Sequence, residues 1–237
     1  MFIQMIGFRE LEPITIFQVY LVQGAIFSFF LLMALKVLKR GKTRIYRIFS
    51  GFYLSICIGF FINFIFVLFL IEPLVWFLYL VTMYFLNFGI VFLTVFTMML
   101  RSGELSKKRQ NIVIITFALL LIGMFFIPGG LVINQKSDWH PIYSDSLIIF
   151  FLTVISISFI PALYNSIQIY KTIDDNRLKK RWRYFLLGII FVGMYGYGTL
   201  ITYKITLGVI IIPYGIATFI LMLLSSYFLY YGMAKNF

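Results

Sequence analysis

Stretches without Asp, Glu, Lys or Arg alternate along this chain with short segments dense in Lys and Arg. The charge-free runs cover 13–35, 48–71, 73–100, 110–135, 146–170, 184–203 and 205–234. Each is as long as the helix of about 20 residues that crosses a hydrocarbon core roughly 30 Å thick. Hydrocarbon offers no partner to a backbone N–H or C=O, so apolar runs of this length satisfy their backbone internally, as helices. The pattern therefore predicts an all-α integral membrane bundle, one domain over 1–237, with spans at 14–35, 48–71, 74–100, 111–134, 146–170, 184–203 and 205–231. Glu72-Pro73 marks the tightest connection, with the proline opening the third helix in its first turn. Helices joined by such short connections are expected to pack as antiparallel neighbours.

The cations add a direction. Lys36, Lys39, Arg40, Lys42, Arg44 and Arg47 precede the second span. Arg101, Lys107, Lys108 and Arg109 follow the third, Lys171, Arg177, Lys179, Lys180, Arg181 and Arg183 precede the sixth, and Lys235 follows the seventh. The alternate connections hold only Arg9, Lys136 and Lys204. Cytoplasmic loops carry the Lys/Arg excess, so the N-terminus is expected outside and the C-terminus inside, in a multi-pass protein of the cell membrane. The cations thus account for the net charge of +12 without nucleic acid. Arg9, Glu10 and Glu12 precede the first span and the basic cluster follows it, the reverse of a cleaved signal peptide, so the first span is expected to be retained.

Composition narrows the chemistry. Hydrophobic residues make up 62% of the chain and charged ones 12%, against about 25% charged in soluble domains. All eight acidic residues (Glu10, Glu12, Glu72, Glu104, Asp138, Asp145, Asp174 and Asp175) lie outside the expected spans. Proton-coupled carriers keep ionisable groups at membrane depth, and an aspartyl intramembrane protease needs two carboxylates there, so neither class is expected. His140 is the only histidine and Cys57 the only cysteine, too few for a metal or haem site, and the seventh run lacks a lysine for retinal. The Gly196-Tyr197-Gly198 triplet lies within an apolar run of full spanning length, unlike the re-entrant loop of a potassium filter. The expectation is a non-enzymatic protein with no metal and no cofactor.

What remains inside the spans is uncharged: Gln18, Gln23, Asn63, Asn87, Asn165, Gln168, Tyr195, Tyr197, Tyr203 and Tyr214. Such groups bond between helices or line a cavity for a neutral or amphipathic ligand. Asn63, Asn87, Tyr195, Tyr197 and Tyr214 are the candidate ligand residues, joined by Trp139 and His140 from the longest outer connection, 135–145. Trp139 and Tyr143 also suit the membrane interface as anchors. Pro128, Pro161 and Pro213 are expected to kink the fourth, fifth and seventh helices, because proline removes a helix hydrogen bond. Gly24 with Ser28, and Gly193, Gly196 and Gly198, are expected to let helices approach closely.

On the inner side, Asp174, Asp175 or Asn176 can cap a helix that carries Lys179-Lys180-Arg181-Trp182-Arg183 into the sixth span, with Trp182 near the headgroups. This run leading into Tyr184 to Gly188, the Trp139-x-Pro141 segment, Pro213 in the seventh helix and the basic cluster 36–47 resemble the N-terminal seven-transmembrane sensor region of prokaryotic histidine kinases. The resemblance implies a bundle that senses at the membrane and relays to a cytoplasmic output. No kinase follows within the 237 residues, so it implies signalling through a separate cytoplasmic partner. Lys179, Lys180, Arg181, Arg183, Arg40 and Arg44 are the candidate contacts for that partner or for anionic lipid. Homo-oligomerisation is compatible with the pattern. The competing expectation is a three-one-three facilitator for a neutral solute, and a third is a membrane accessory subunit.

Overall fold

The computed structural model describes residues 16–41, 43–103, 105–137, 139–202 and 211–234, without the side chains of 18, 202, 211–215 and 234. Seven helices among them are long and apolar enough to cross a membrane. Helix α1 begins in π geometry over Ile16–Gln23 and continues as an α-helix over Gly24–Arg40. It is followed by α2 (Arg44–Phe66), α3 (Glu72–Ser102) and α4 (Lys107–Ile122, closing in a 3-10 turn over Gly123–Phe126). A two-stranded ribbon, β1 (Leu131–Val132) and β2 (Ile142–Tyr143), precedes α5 (Asp145–Thr172), α6 (Asn176–Thr202) and α7 (Ile211–Ala234).

Six helices close a ring in which α1 packs on α2, α2 on α3, α3 on α5, α5 on α6, α6 on α7 and α7 back on α1. Helix α4 stands outside it, against α3. Its outward residues Ile112, Ile115, Leu119 and Ile122 are exposed, whereas Leu121 is fully buried.

Local chemistry explains the helix ends. Pro73 sits in the first turn of α3, where a missing N–H costs nothing. Ser106 and Ser144 cap α4 and α5 by accepting from the N–H groups of Arg109 and Leu147. Asp175 caps α6, its Oδ1 accepting from Arg177 at 2.6 Å and Leu178 at 3.3 Å.

The core of the basic end is a layer of rings. Phe49, Phe96 and Phe185, from α2, α3 and α6, lie 4.5 to 6.3 Å apart, and Trp182 packs on Phe185 at 4.7 Å. Tyr53 extends the layer to Phe30 of α1 and donates its hydroxyl hydrogen to Ser226 O of α7 at 3.1 Å. Five helices thus meet around side chains that are all buried. Lipid tails are as apolar as these rings, so the gain comes from close packing and from satisfied polar groups. Helices α6 and α7 approach most closely here. A Cβ on Gly188 would lie 2.8 Å from Leu229 N and 3.0 Å from Ser225 O, and one on Gly232 would lie 2.7 Å from Phe185 N.

Several expectations change. The second helix ends at Phe66, so the last residues of the expected 48–71 span form the turn into α3. The fourth ends at Phe126, and 127–134 belongs to the connection that carries β1. Pro128 therefore follows the helix and kinks nothing. Pro161 does stand inside α5. Its missing N–H frees the carbonyl of Ile157, and the next carbonyl, Ser158 O, lies 2.6 Å from the Thr94 hydroxyl of α3. The sixth helix starts at Asn176, so the basic run does lead as helix into the expected 184–203 span, behind the Asp175 cap. It runs unbroken through Gly196-Tyr197-Gly198, which leaves no unwound carbonyls for a filter. Gly24 has open space at its Cβ position and Ser28 is exposed, so that pair makes no close helix contact. Trp182 is 4% exposed and donates Nε1–H to Ser166 O at 2.7 Å, an internal anchor and not a headgroup residue. Arg9, Glu10, Glu12, Lys42, Glu104, Asp138, Tyr203, Lys204 and Lys235 lie outside the described residues, as do the side chains of Gln18, Pro213 and Tyr214.

Candidate functional site

At the end of the ring away from the basic connections, the helices diverge around a cavity of about 300 Å³. Gln23 of α1, Asn63 of α2, Tyr79 and Thr82 of α3, Tyr195 and Thr199 of α6 and Thr218 of α7 give it a polar wall. The Asn63 side-chain amide donates to Gln23 Oε1, which ties α1 to α2 at the rim. The same helices are tied again where the Tyr20 hydroxyl donates to Phe64 O at 3.2 Å. The cavity narrows past Met83, Leu86, Tyr195 and Thr199 into a second chamber of about 70 Å³. Ile56, Ile90, Phe151, Ile155, Val192 and Met222 make that chamber apolar, with Asn87 as a polar exception whose Nδ2 donates to Met83 O at 2.7 Å. Among the described residues that line the two chambers there is no Asp, Glu, Lys or Arg.

The connection between α4 and α5 covers the mouth. Its ribbon pairs Leu131 with Tyr143 and Val132 with Ile142, and Ser144 N–H donates to Gly130 O at 2.9 Å. At its tip Asn134 and Ser137 share three side-chain hydrogen bonds at 3.0 Å, and the N–H of Trp139 donates back to Asn134 O at 3.0 Å. This turn holds Trp139 at φ 58°, a left-handed conformation that is strained for a bulky side chain. Such strain costs on the order of 1–3 kcal/mol and persists only where neighbouring bonds impose it. Here it places Trp139, His140 and Pro141 against the cavity. A bond between the Tyr143 and Tyr79 hydroxyls fastens the connection to α3.

Of the residues singled out in the sequence, Asn63, Trp139, His140 and Tyr195 meet in the outer chamber, and Asn87 joins Tyr195 in the inner one. Tyr197 points elsewhere, its hydroxyl 2.8 Å from that of Ser156 on α5. Helical spacing explains the split, since residues two apart lie on nearly opposite faces. Tyr143 serves the ribbon, so neither it nor Trp139 is simply an interface anchor. Thr82, Thr199 and Thr218 were missed. Thr199 was findable, because it stands one turn beyond Tyr195 on the same face and donates to its carbonyl at 2.7 Å.

The opposite end is positive. Arg40 donates to the Tyr230 hydroxyl at 2.8 Å, Arg44 to Leu105 O, Arg101 to Asn165 Oδ1 at 2.9 Å and Arg183 to the Tyr170 hydroxyl at 2.8 Å. Arg40 also lies over the Tyr230 ring at 5.0 Å and Lys179 over that of Tyr170 at 5.4 Å. Each of these partners is neutral, so these bonds position the cations without themselves neutralising them. Lys180 is exposed, and Arg181 keeps one buried guanidinium nitrogen without a hydrogen bond. No protein-family model, curated protein or solved structure matches this chain, and what the cavity binds has to be read from its own chemistry.

Proposed function

We propose that this is a non-enzymatic membrane sensor that binds a neutral or amphipathic ligand in the outer cavity and relays its occupancy to a cytoplasmic partner at the basic end. The observation that carries the reading is a cavity whose described walls are polar but hold no Asp, Glu, Lys or Arg, with a layer of buried rings packing five helices at the opposite, basic end. A cavity at one end and close packing at the other suit detection better than passage. The orientation, N-terminus outside, rests on the Lys/Arg asymmetry. The partner reading rests on cations held ready by neutral bonds, and the resemblance to histidine-kinase sensor regions supports it.

Thermal unfolding of the purified protein across a series of uncharged and charged small amphiphiles tests ligand binding. A ligand at about 100 times its Kd stabilises the folded state by about 2.7 kcal/mol, and uncharged members should produce such shifts. Shifts confined to charged compounds would sink the proposal.

A second reading has its own observation. The ring consists of α1–α3 and α5–α7 with α4 outside, which is the helix order of a three-one-three facilitator. It predicts uptake of a neutral solute into proteoliposomes that is lost in Asn63→Ala/Asn87→Ala, and it requires the aromatic layer to open.

A further inference from the structure

Resting on the reading of the cavity as a ligand site, we infer that its ligand is an amphiphile with a hydroxyl or carboxamide head and a hydrocarbon tail, the head at Gln23 and Asn63. The tail runs down the outer chamber and its end occupies the inner one.

The Gln23–Asn63 bond consumes one amide N–H of Asn63 and the carbonyl of Gln23. Left at the cavity wall are a carbonyl on one residue and an NH2 on the other. Exchanging the O and N assignments of both amides leaves the same complementary pair. A hydroxyl and a carboxamide each donate and accept, and so match it. A carboxylate only accepts and an ammonium only donates, so either leaves one group of this amide pair unpaired, and neither meets an Asp, Glu, Lys or Arg among the described lining residues. The mismatch is expected to weaken binding roughly tenfold or more.

The inner chamber selects the other end of the molecule. Ile56, Phe151, Ile155 and Met222 offer it hydrocarbon, while among its polar neighbours Asn87 has its Nδ2 engaged with Met83 O and Thr199 its hydroxyl hydrogen with Tyr195 O, each at 2.7 Å. Gly196 is part of this wall, and a Cβ built there meets only Ile155 Cδ1, at 3.9 Å. A larger side chain at this position can fill the chamber without pushing helices apart.

The test uses the full chain in nanodiscs, with 2-bromooctan-1-ol, whose bromine stays beside the head in the outer chamber that Trp139 lines, as a quencher of Trp139 fluorescence and Trp139→Phe defining the Trp139 component. Octan-1-ol and octanamide should displace the quencher at least about tenfold better than octanoate or octylamine. Asn63→Leu should erase that discrimination. Gly196→Leu should weaken octan-1-ol at least about tenfold, while Ile115→Ala, on the outer face of α4 away from both chambers, should bind as the parent does. Should Gly196→Leu fail to fold, Ile155→Phe fills the same space. Equal or better displacement by octanoate or octylamine overturns the proposal, as does unchanged octan-1-ol binding in a folded chamber-filling variant. Absence of saturable quenching overturns it too. The cavity's role as a ligand site falls with it only if the thermal-unfolding series is also flat.

Discussion

Gly188 and Gly196 stand about two turns apart on α6 and do opposite things. At Gly188 a methyl group meets the backbone of α7, which cannot yield as a side-chain tip can. Gly188→Ala is therefore expected to destabilise the bundle by about 1–3 kcal/mol through overpacking. At Gly196 the space is open, and alanine brings better helix propensity, a gain of up to about 1 kcal/mol. Equilibrium unfolding of the two variants in mixed micelles gives both signs, and equal effects would refute the distinction. Sequence reading named Gly193, Gly196 and Gly198 as sites of close packing and passed over Gly188 and Gly232. A small residue reports only that backbone could approach, and which face of α6 meets α7 is decided by the large residues around it, Phe185 and Leu229 among them. A Cβ on Gly193 would run into the Phe159 ring, so that position does serve packing, against α5.

Helix existence was legible, and the ends were less so. A run free of charge tells where a segment can enter hydrocarbon. It does not tell where the helix stops, because 127–134 is as free of charge as 110–126 before it. The stop comes from Pro128 and from Gly129, whose φ of 62° suits glycine. The basic extension of α6 lies beyond any apolar run, and it was legible from its capping residues instead, since Asp175 caps a helix that begins at Asn176. Short connections also suggested that each helix packs on the next, yet α4 touches mainly α3. Its exposed face should be replaceable: Ile115→Ala and Leu119→Ala are expected to change stability by less than about 0.5 kcal/mol, whereas Leu121→Ala at the buried face should cost about 2–5 kcal/mol. Comparable losses at all three positions in the same unfolding assay would place a packing partner on the outer face of α4.

At the scale of the whole molecule, the complementarity of the two ends was legible from charge alone, since excluding cations from the spans also excluded carboxylates. The cavity was half legible. Its amides and tyrosines were visible as uncharged polar groups, but their grouping required the ring order, and the threonines attract no notice in so apolar a chain. The proposed orientation predicts that alkaline phosphatase fused after Phe237 is inactive and a cytoplasmic reporter there is active; the reverse pattern would invert the bundle and put the basic face outside. The contact of Gly188 with Leu229 has a mechanical consequence. It pins α6 against α7 near the middle of α6, with Thr199 about 16 Å to one side and the capped start at Asn176 about 18 Å to the other. A pinned rod turns like a balanced lever. Any tilt that widens the cavity by a given distance at Thr199 swings Arg177 by about the same distance in the opposite sense, and Lys179 and Lys180 by roughly three-quarters of it or more, with no amplification.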